Sequence, residues 1–359
     1  VDPLSLIRPE VRALSAYHVP DSRGLLKLDA MENPFSLPDS LRAVLGERLA
    51  EAAFNRYPDA QPAGLKALLA HTMGVPAGNE LLLGNGSDEV IQIVAQAVAQ
   101  PGATLLSVEP SFVMFRLLAL SCGLQYRGVP LKADFSLDLE ALLSAIAETR
   151  PALIFLAIPN NPTGNVFPDA AVAAVLAAAP GLVVVDEAYF PFTDGSWIGR
   201  LSEHPRLLVM RTVSKLGLAG IRLGFLAGAP ILLNEFEKLR LPYNISVATQ
   251  IIATTLLESM DVLRAQTGIL RSERARLAAA LGALPGLECF PSEANFLLVR
   301  VARPDAVFDA LKQHGILIKN LNGAHALLRG CLRITVGSPE QNDRLLEALA
   351  VSLLTAPVG

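Results

Sequence analysis

From Glu80 to about Leu241, short continuous apolar runs alternate with Ala- and Leu-rich stretches of helix length. The runs LLLGNG, ATLLSVEP, LQYRGVPL, ALIFLAIP, GLVVVDEA, LLVMRTVS and GFLAGAP predict seven strands. Continuous rather than alternating apolar runs belong to strands covered on both faces. The fold class expected is therefore α/β: a large domain with a mostly parallel seven-stranded sheet, its strands joined by crossover helices that flank it. After Pro242 a long helical region runs from Val247 to about Leu284 and stops at Pro285-Gly286. The segments ECFPSEANFLLVRV, AVFDALKQHGILIKN and CLRITVG follow, with a last helix over Glu340 to Leu354; they predict a smaller α+β domain. Upstream, Pro3, Pro9 and Pro20 mark residues 1–30 as an arm laid over another surface. MENPFSLP reads as a loop, Asp39 to Ala53 as a helix capped by Asp39 or Ser40, and NRYPDAQP as a turn. The chain thus divides into 1–30 (arm and part of the small domain), 31–245 (large domain) and 246–359 (small domain).

Composition supports this division and narrows the function. The 359 residues are 52% apolar and 18% charged, enough for two cores and too apolar for disorder. A net charge of −4 offers no basic face to nucleic acid or to an anionic membrane. The longest apolar stretch, Ala170 to Val185, is interrupted by Pro180-Gly181 and is not expected to span a bilayer; VDPLSLIRPEVR has no apolar leader segment. Three cysteines, far apart and odd in number, and five histidines without ligand spacing predict neither a disulfide framework nor a metal site. A soluble cytoplasmic protein is expected.

The chemistry collects where the apolar runs end, which is where ligands bind in such sheets. In RTVSKLGLAGIRLG, Lys215 follows a buried-strand pattern, a setting that keeps an amine neutral enough to attack a carbonyl. In LLLGNGSDEV, a glycine-rich turn opens a helix at Ser87-Asp88; its free N–H groups suit a phosphate, and Gly86 lets the backbone come close. Asp88 is expected to turn its side chain to its own helix and its N–H to the anion. Phe112, in EPSF, offers a flat ring for stacking, with core packing the alternative. In IPNNPTG, Asn161 presents an oriented amide. In GLVVVDEAYF, Asp186 is a carboxylate at the end of a buried strand, costly unless paired; a protonated ring nitrogen is the natural partner, with Tyr189 adding a phenol. A phosphate cradle, a stacking ring, an amide, a buried acid, a phenol and a lysine together describe a site for pyridoxal 5′-phosphate.

With NRYPD, GSDE, EPSF, NNPTG, DEAY, SK followed by LAGIRLG, and GCLRITVG, the chain resembles the fold type I, aspartate-aminotransferase-like pyridoxal-phosphate enzymes over nearly its whole length, and within them the histidinol-phosphate aminotransferase branch. The resemblance implies that Lys215 holds the cofactor, that Asp186 pairs with its ring nitrogen and that Asn161 and Tyr189 bond the ring oxygen. It implies that Gly86, Ser87, Asp88, Thr212, Ser214 and Arg222 hold the phosphate. Tyr57 would reach the cofactor of the other subunit, which requires a homodimer with shared active sites. Arg333 would bind the anionic end of the substrate, with Lys319, Tyr17 and Asn33 nearby. The implied reaction exchanges an amino group between L-histidinol phosphate and 2-oxoglutarate. An aromatic-amino-acid aminotransferase, a phosphothreonine decarboxylase and a non-catalytic regulatory protein are the alternatives. The chain departs from the family pattern at three points. Phe112 stands where many relatives have Tyr, Lys215 and Arg222 are seven apart where eight is common, and Lys319 stands where Arg is frequent.

Overall fold

The seven runs form one sheet; successive residues of the inner strands are buried on its opposite faces, while the edge strand Gln125–Pro130 is mostly accessible. In the computed structural model, which describes residues 2–16 and 19–355, the strands in chain order are β1 (Leu26–Lys27), β2 (Glu80–Asn85), β3 (Thr104–Glu109), β4 (Gln125–Pro130), β5 (Leu153–Ala157), β6 (Leu182–Asp186), β7 (Leu207–Thr212), β8 (Leu223–Gly228), β9 (Leu287–Cys289), β10 (Phe296–Val301), β11 (Ile316–Leu317), β12 (Lys319–Asn320) and β13 (Cys331–Thr335). The large sheet has the order β2-β8-β7-β6-β5-β3-β4. Strands β3 to β7 pair in parallel with one another, and β8 runs antiparallel to both of its neighbours, β2 and β7. On one face Ile154, Leu156, Val183, Val185 and Val209 enter one core; on the other Phe155, Val184, Leu208 and Met210 enter a second. Each such fully buried side chain stabilises the sheet by about 2 kcal/mol, which fixes the strand register and with it the positions of the polar residues beyond.

The smaller unit is a four-stranded antiparallel sheet of order β12-β13-β10-β9 with its own core, including Phe296, Leu297, Ile334 and Leu345. β1 pairs in parallel with β11 in a separate two-stranded sheet, Leu26 opposite Ile316 and Lys27 opposite Leu317. Further upstream a short helix, Pro9–Arg12, lies against the helix Val113–Ser121, and the Arg8 guanidinium donates to the Ser121 carbonyl.

Two helices differ from expectation. The first covers Asp39–Ala50, with Pro38 rather than a polar side chain at its cap. The helical region after Pro242 is divided into Val247–Leu257 and Met260–Gly282. Leu256 and Leu257 of the first and Leu263 of the second enter a core of the large sheet, while Leu270, Leu277 and Leu281, further along the second, enter the core of the small one. The boundary read from the sequence at 245/246 thus precedes a helix that packs on the large sheet. No helix among the described residues is long and apolar enough to cross a membrane, and no cluster of metal-ligating side chains occurs among them.

Candidate active site

Five strand ends and one strand start converge on a cavity of about 220 Å³. Its walls include Ser87, Asp88, Phe112, Asn161, Asp186, Tyr189, Thr212, Ser214, Lys215 and Arg222. Asp186 is the last residue of β6, and Thr212 the last of β7. A single 3-10 turn, Val213–Leu216, then carries Lys215 and is closed by Gly217 at φ 115°. Phe112 caps the helix after β3, and Arg222 immediately precedes β8. Strand ends gather these groups because an apolar run holds its backbone in register up to the residue where burial stops.

At one end of the cavity the helix Ser87–Val98 begins, preceded by Gly86 at φ 79°. A side chain at Gly86 would collide with the Arg222 guanidinium, and one at Gly224 would meet the Gly86 carbonyl carbon and the Ser87 nitrogen at 2.7 Å. Glycine is required at both places for the helix terminus and the arginine to share the space. The Asp88 carboxylate faces Arg222 at 3.6 Å instead of capping its helix, and Glu89 takes the Asn85 N–H. Thr212 and Ser214 bond each other through their hydroxyls at 2.8 Å, and Thr212 Oγ1 accepts from the Ser214 N–H at 3.1 Å. Unpaired helix N–H groups, a guanidinium and two hydroxyls form a donor set for a phosphate.

The same cavity holds an acid and an amine. Asp186 is buried, and its Oδ1 accepts from the Ala188 N–H at 2.9 Å. Burial pushes its carboxyl up to about 7, opposed by that hydrogen bond and assisted by the nearby charges of Asp88 and Glu187. The Lys215 amine donates to the Ala30 carbonyl at 3.3 Å and lies 5.7 Å from the centre of the Tyr189 ring. Removal from water lowers the amine to about 8, followed by the repulsion of Arg333; Glu32 acts the other way. Although the side chain is partly accessible along its length, the amine end is enclosed by the cavity wall, and that enclosure governs its protonation.

Asn161 Oδ1 accepts from Arg333 Nη1, leaving the amide nitrogen for the cavity, and Arg333 Nη2 donates to the Asp29 carbonyl at 2.9 Å. In the β12–β13 ladder Lys319 lies directly opposite Arg333. Like charges at such a position repel, so the pair fits a site that receives an anion. The remaining expectations fall elsewhere. Asn33 does not line the cavity; its amide is committed to Leu216 O, Gln266 Oε1 and the Phe35 N–H. Tyr57 is 81% exposed on the outer surface, stacked on Tyr243 at 4.6 Å. Tyr17 lies outside the described residues.

Three groups escaped sequence reasoning. Ala30, Met31 and Glu32 line the cavity; nothing in MENP marks them, since Ala30 contributes a carbonyl. Asn160 is fully buried and ties the loop after β5 to the loop after β3, donating to Pro110 O at 3.0 Å and Thr163 Oγ1 at 2.7 Å and accepting from Ser111. Glu187 and Arg211 form a buried ion pair at 2.8 Å behind Asp186, completed by Ser196 and by Phe190 beneath the guanidinium. Removing one partner would strand a buried charge at a cost of about 3–5 kcal/mol. The signal available was an arginine inside the apolar run LLVMRT.

The model of the family described as aminotransferase class I and II matches residues 23–349. The histidinol-phosphate aminotransferase 1 of Burkholderia lata is 56% identical over 352 residues, spanning 98% of this chain and 99% of that one. The histidinol-phosphate aminotransferase of Chromobacterium violaceum is 55% identical over 96% of this chain and 97% of its own. Among solved structures, the histidinol-phosphate aminotransferase of Sinorhizobium meliloti in complex with pyridoxal-5′-phosphate superposes with a TM-score of 0.88 at 26% identity, covering 99% of this chain and 100% of that one. With a family model matching residues 23–349 and relatives more than half identical over nearly the whole chain, this chain belongs to the class I and II aminotransferases.

Proposed function

We propose that the chain is a pyridoxal-phosphate-dependent aminotransferase that exchanges the amino group of L-histidinol phosphate with 2-oxoglutarate, giving imidazole-acetol phosphate and L-glutamate in histidine biosynthesis. The observation that carries the chemistry is the shared cavity, whose wall holds Lys215 and Asp186 together with Ser87, Asp88 and Arg222 beside the Gly86 turn. The turn fits the phosphate of the cofactor because the start of the helix Ser87–Val98 and the Arg222 guanidinium meet there, so close that a Cβ at Gly86 would collide with the guanidinium. Identity of 50–56% to several histidinol-phosphate aminotransferases supports the substrate.

Bound there, pyridoxal 5′-phosphate supplies an aldehyde that condenses with amines and a ring that draws electrons from the carbon beside the nitrogen. Lys215 would hold it covalently, and the free Lys215 amine would carry the proton to and from the substrate carbon that bears nitrogen. Asp186 holds a proton at the ring nitrogen. Asn161 and Tyr189 would donate to the ring oxygen, and Phe112 would offer its ring for stacking. The N–H groups at Gly86, Ser87 and Asp88, the Thr212 and Ser214 hydroxyls and Arg222 hold the phosphate. Arg333 and Lys319 receive the anionic end of either substrate; a guanidinium fork suits both phosphate and carboxylate.

The assembly proposed is a cytoplasmic homodimer in which Tyr57 reaches the cofactor phosphate of the other subunit. Its 81% exposure, on a surface shared with the half-exposed Tyr243, supports a role outside its own cavity. Residues 31–245, with the helix Val247–Leu257, form the cofactor-carrying unit; residues 1–30 and the rest of the chain complete the substrate end.

Steady-state rates with 2-oxoglutarate and either L-histidinol phosphate or phenylalanine test the substrate. A higher kcat/KM on phenylalanine would replace this reading with an aromatic-amino-acid aminotransferase.

A further inference from the structure

One peptide group lies between the small sheet and the lysine. On one side the Met31 N–H donates to Thr335 Oγ1 at 3.0 Å; on the other the Ala30 carbonyl accepts from Lys215 Nζ at 3.3 Å. In a trans peptide the N–H and C=O point in opposite directions. The hydroxyl that captures the amide hydrogen therefore aims the carbonyl at the amine. The flanking carbonyls all turn the other way: Leu28 O accepts from the Thr335 N–H at 2.9 Å, Asp29 O from Arg333 at 2.9 Å and Met31 O from Asn295 Nδ2 at 3.0 Å. The reversal occurs at Met31, whose φ of 55° is a left-handed conformation that a residue with a side chain keeps only when its surroundings hold it. Thr335 and Asn295 are 2% and 0% exposed, and neither lines the cavity.

We propose that the Ala30 carbonyl is the acceptor that orients the Lys215 amine for proton transfer, and that Thr335 and Asn295 are positioning residues that hold this carbonyl in place. An amine that gives one N–H to a fixed carbonyl has its lone pair turned away from it, towards the cavity. The inference rests on the reading of Lys215 as the proton carrier. It also makes the lysine on the large sheet sensitive to the seating of the small sheet, through a single peptide plane.

The test is Thr335→Val, which keeps the shape and removes the acceptor, with Thr335→Ser as the conservative control. Two quantities are read: kcat and KM of the holoenzyme, and the apparent pKa of Lys215 in the cofactor-free chain, from competitive acetylation with peptide mass spectrometry. Losing a carbonyl that favours the ammonium form lowers the pKa of Lys215 by about half a unit. Misorienting the amine lowers kcat about tenfold while KM for the amino donor stays within about twofold. Thr335→Ser restores both, and Asn295→Ala moves both in the direction of Thr335→Val. A folded Thr335→Val protein with unchanged kcat, or with unchanged Lys215 pKa, overturns the proposal; should that variant not fold, the same outcome in Asn295→Ala overturns it. Failure of the underlying reading is separate, since it shows as turnover by Lys215→Ala whatever the Thr335 variants do.

Discussion

Asp186 and Lys215 face one cavity from adjacent parallel strands, the acid at the end of β6 and the amine in the turn that follows β7. Opposite charges so placed ordinarily hold each other ionised. Here burial outweighs that attraction for both, lifting the acid to about 7 and lowering the amine to about 8. The pair is poised to change protonation near neutrality, as a proton donor and a proton acceptor acting on one guest must be.

Replacing Lys215 with Ala removes both the covalent anchor and the base. Glutamate formation is expected to fall by about 10³-fold or more. Turnover above one hundredth of the wild-type rate would take Lys215 out of its assigned role.

Asp186 leaves a signature in the cofactor-free protein. Its carboxyl binds a proton more tightly folded than unfolded, so its contribution to stability is full below about pH 4 and is lost as pH rises through about 7. The loss has an upper limit of about 4 kcal/mol. Asp186→Asn abolishes this slope, and urea unfolding at pH 5 and pH 8 reads it. The same variant holds the ring proton poorly and loses most of kcat. Equal pH slopes in the two proteins would contradict the burial-driven rise.

Gly86→Ala puts a methyl group against the Arg222 guanidinium and strains a left-handed φ. A strain of about 1–2 kcal/mol predicts cofactor binding weaker by roughly tenfold, measured by equilibrium dialysis. Unaltered affinity would mean that the cradle lies elsewhere.

Arg333→Lys keeps the charge and loses the planar fork that bonds Asn161 and Asp29 at once. KM for the phosphorylated substrate is expected to rise about tenfold, with kcat also reduced because Asn161 loses its brace. Lys319→Arg keeps the pair of cations and leaves both constants within about twofold. If Lys319→Ala raised KM no more than Lys319→Arg, the cation opposite Arg333 would have no part in substrate binding.

Tyr57→Phe tests the shared site. Loss of its hydroxyl is expected to weaken cofactor binding about threefold to tenfold without changing sedimentation at twice the chain mass. A monomer in sedimentation, active at wild-type rates, contradicts the shared arrangement.

The sheet was legible because burial on both faces makes its inner strands almost wholly apolar up to their ends, Ser107 in β3 and Arg211 in β7 being buried exceptions. The runs ending in Asp186 and Thr212 therefore announced both their length and their exits. Lys215, Asn161 and Arg222 were legible for the same reason, as polar residues where apolar runs stop. What stayed hidden works through the backbone or across long separations. Ala30 offers only a carbonyl, which every residue has. Asn160 sits beside Asn161 in the motif yet acts as a brace between loops, a distinction made by contacts with Pro110 and Ser111 some 50 residues away. The second helix after Glu258-Ser259 serves two cores, Met260 and Leu263 one and Leu270, Leu277 and Leu281 the other, and no local pattern records that.

The reversed direction of β8 decides where its arginine lies. Parallel neighbours need a long return across the sheet, but a hairpin-like return needs only the short span from Val213 to Arg222. The chain therefore turns back along the same rim, and the residue before β8 arrives beside the anion cradle. Were the strand flipped to match its neighbours, the guanidinium would sit at the far rim, about 20 Å distant, and that rim would hold a stray cation in place of a binding group.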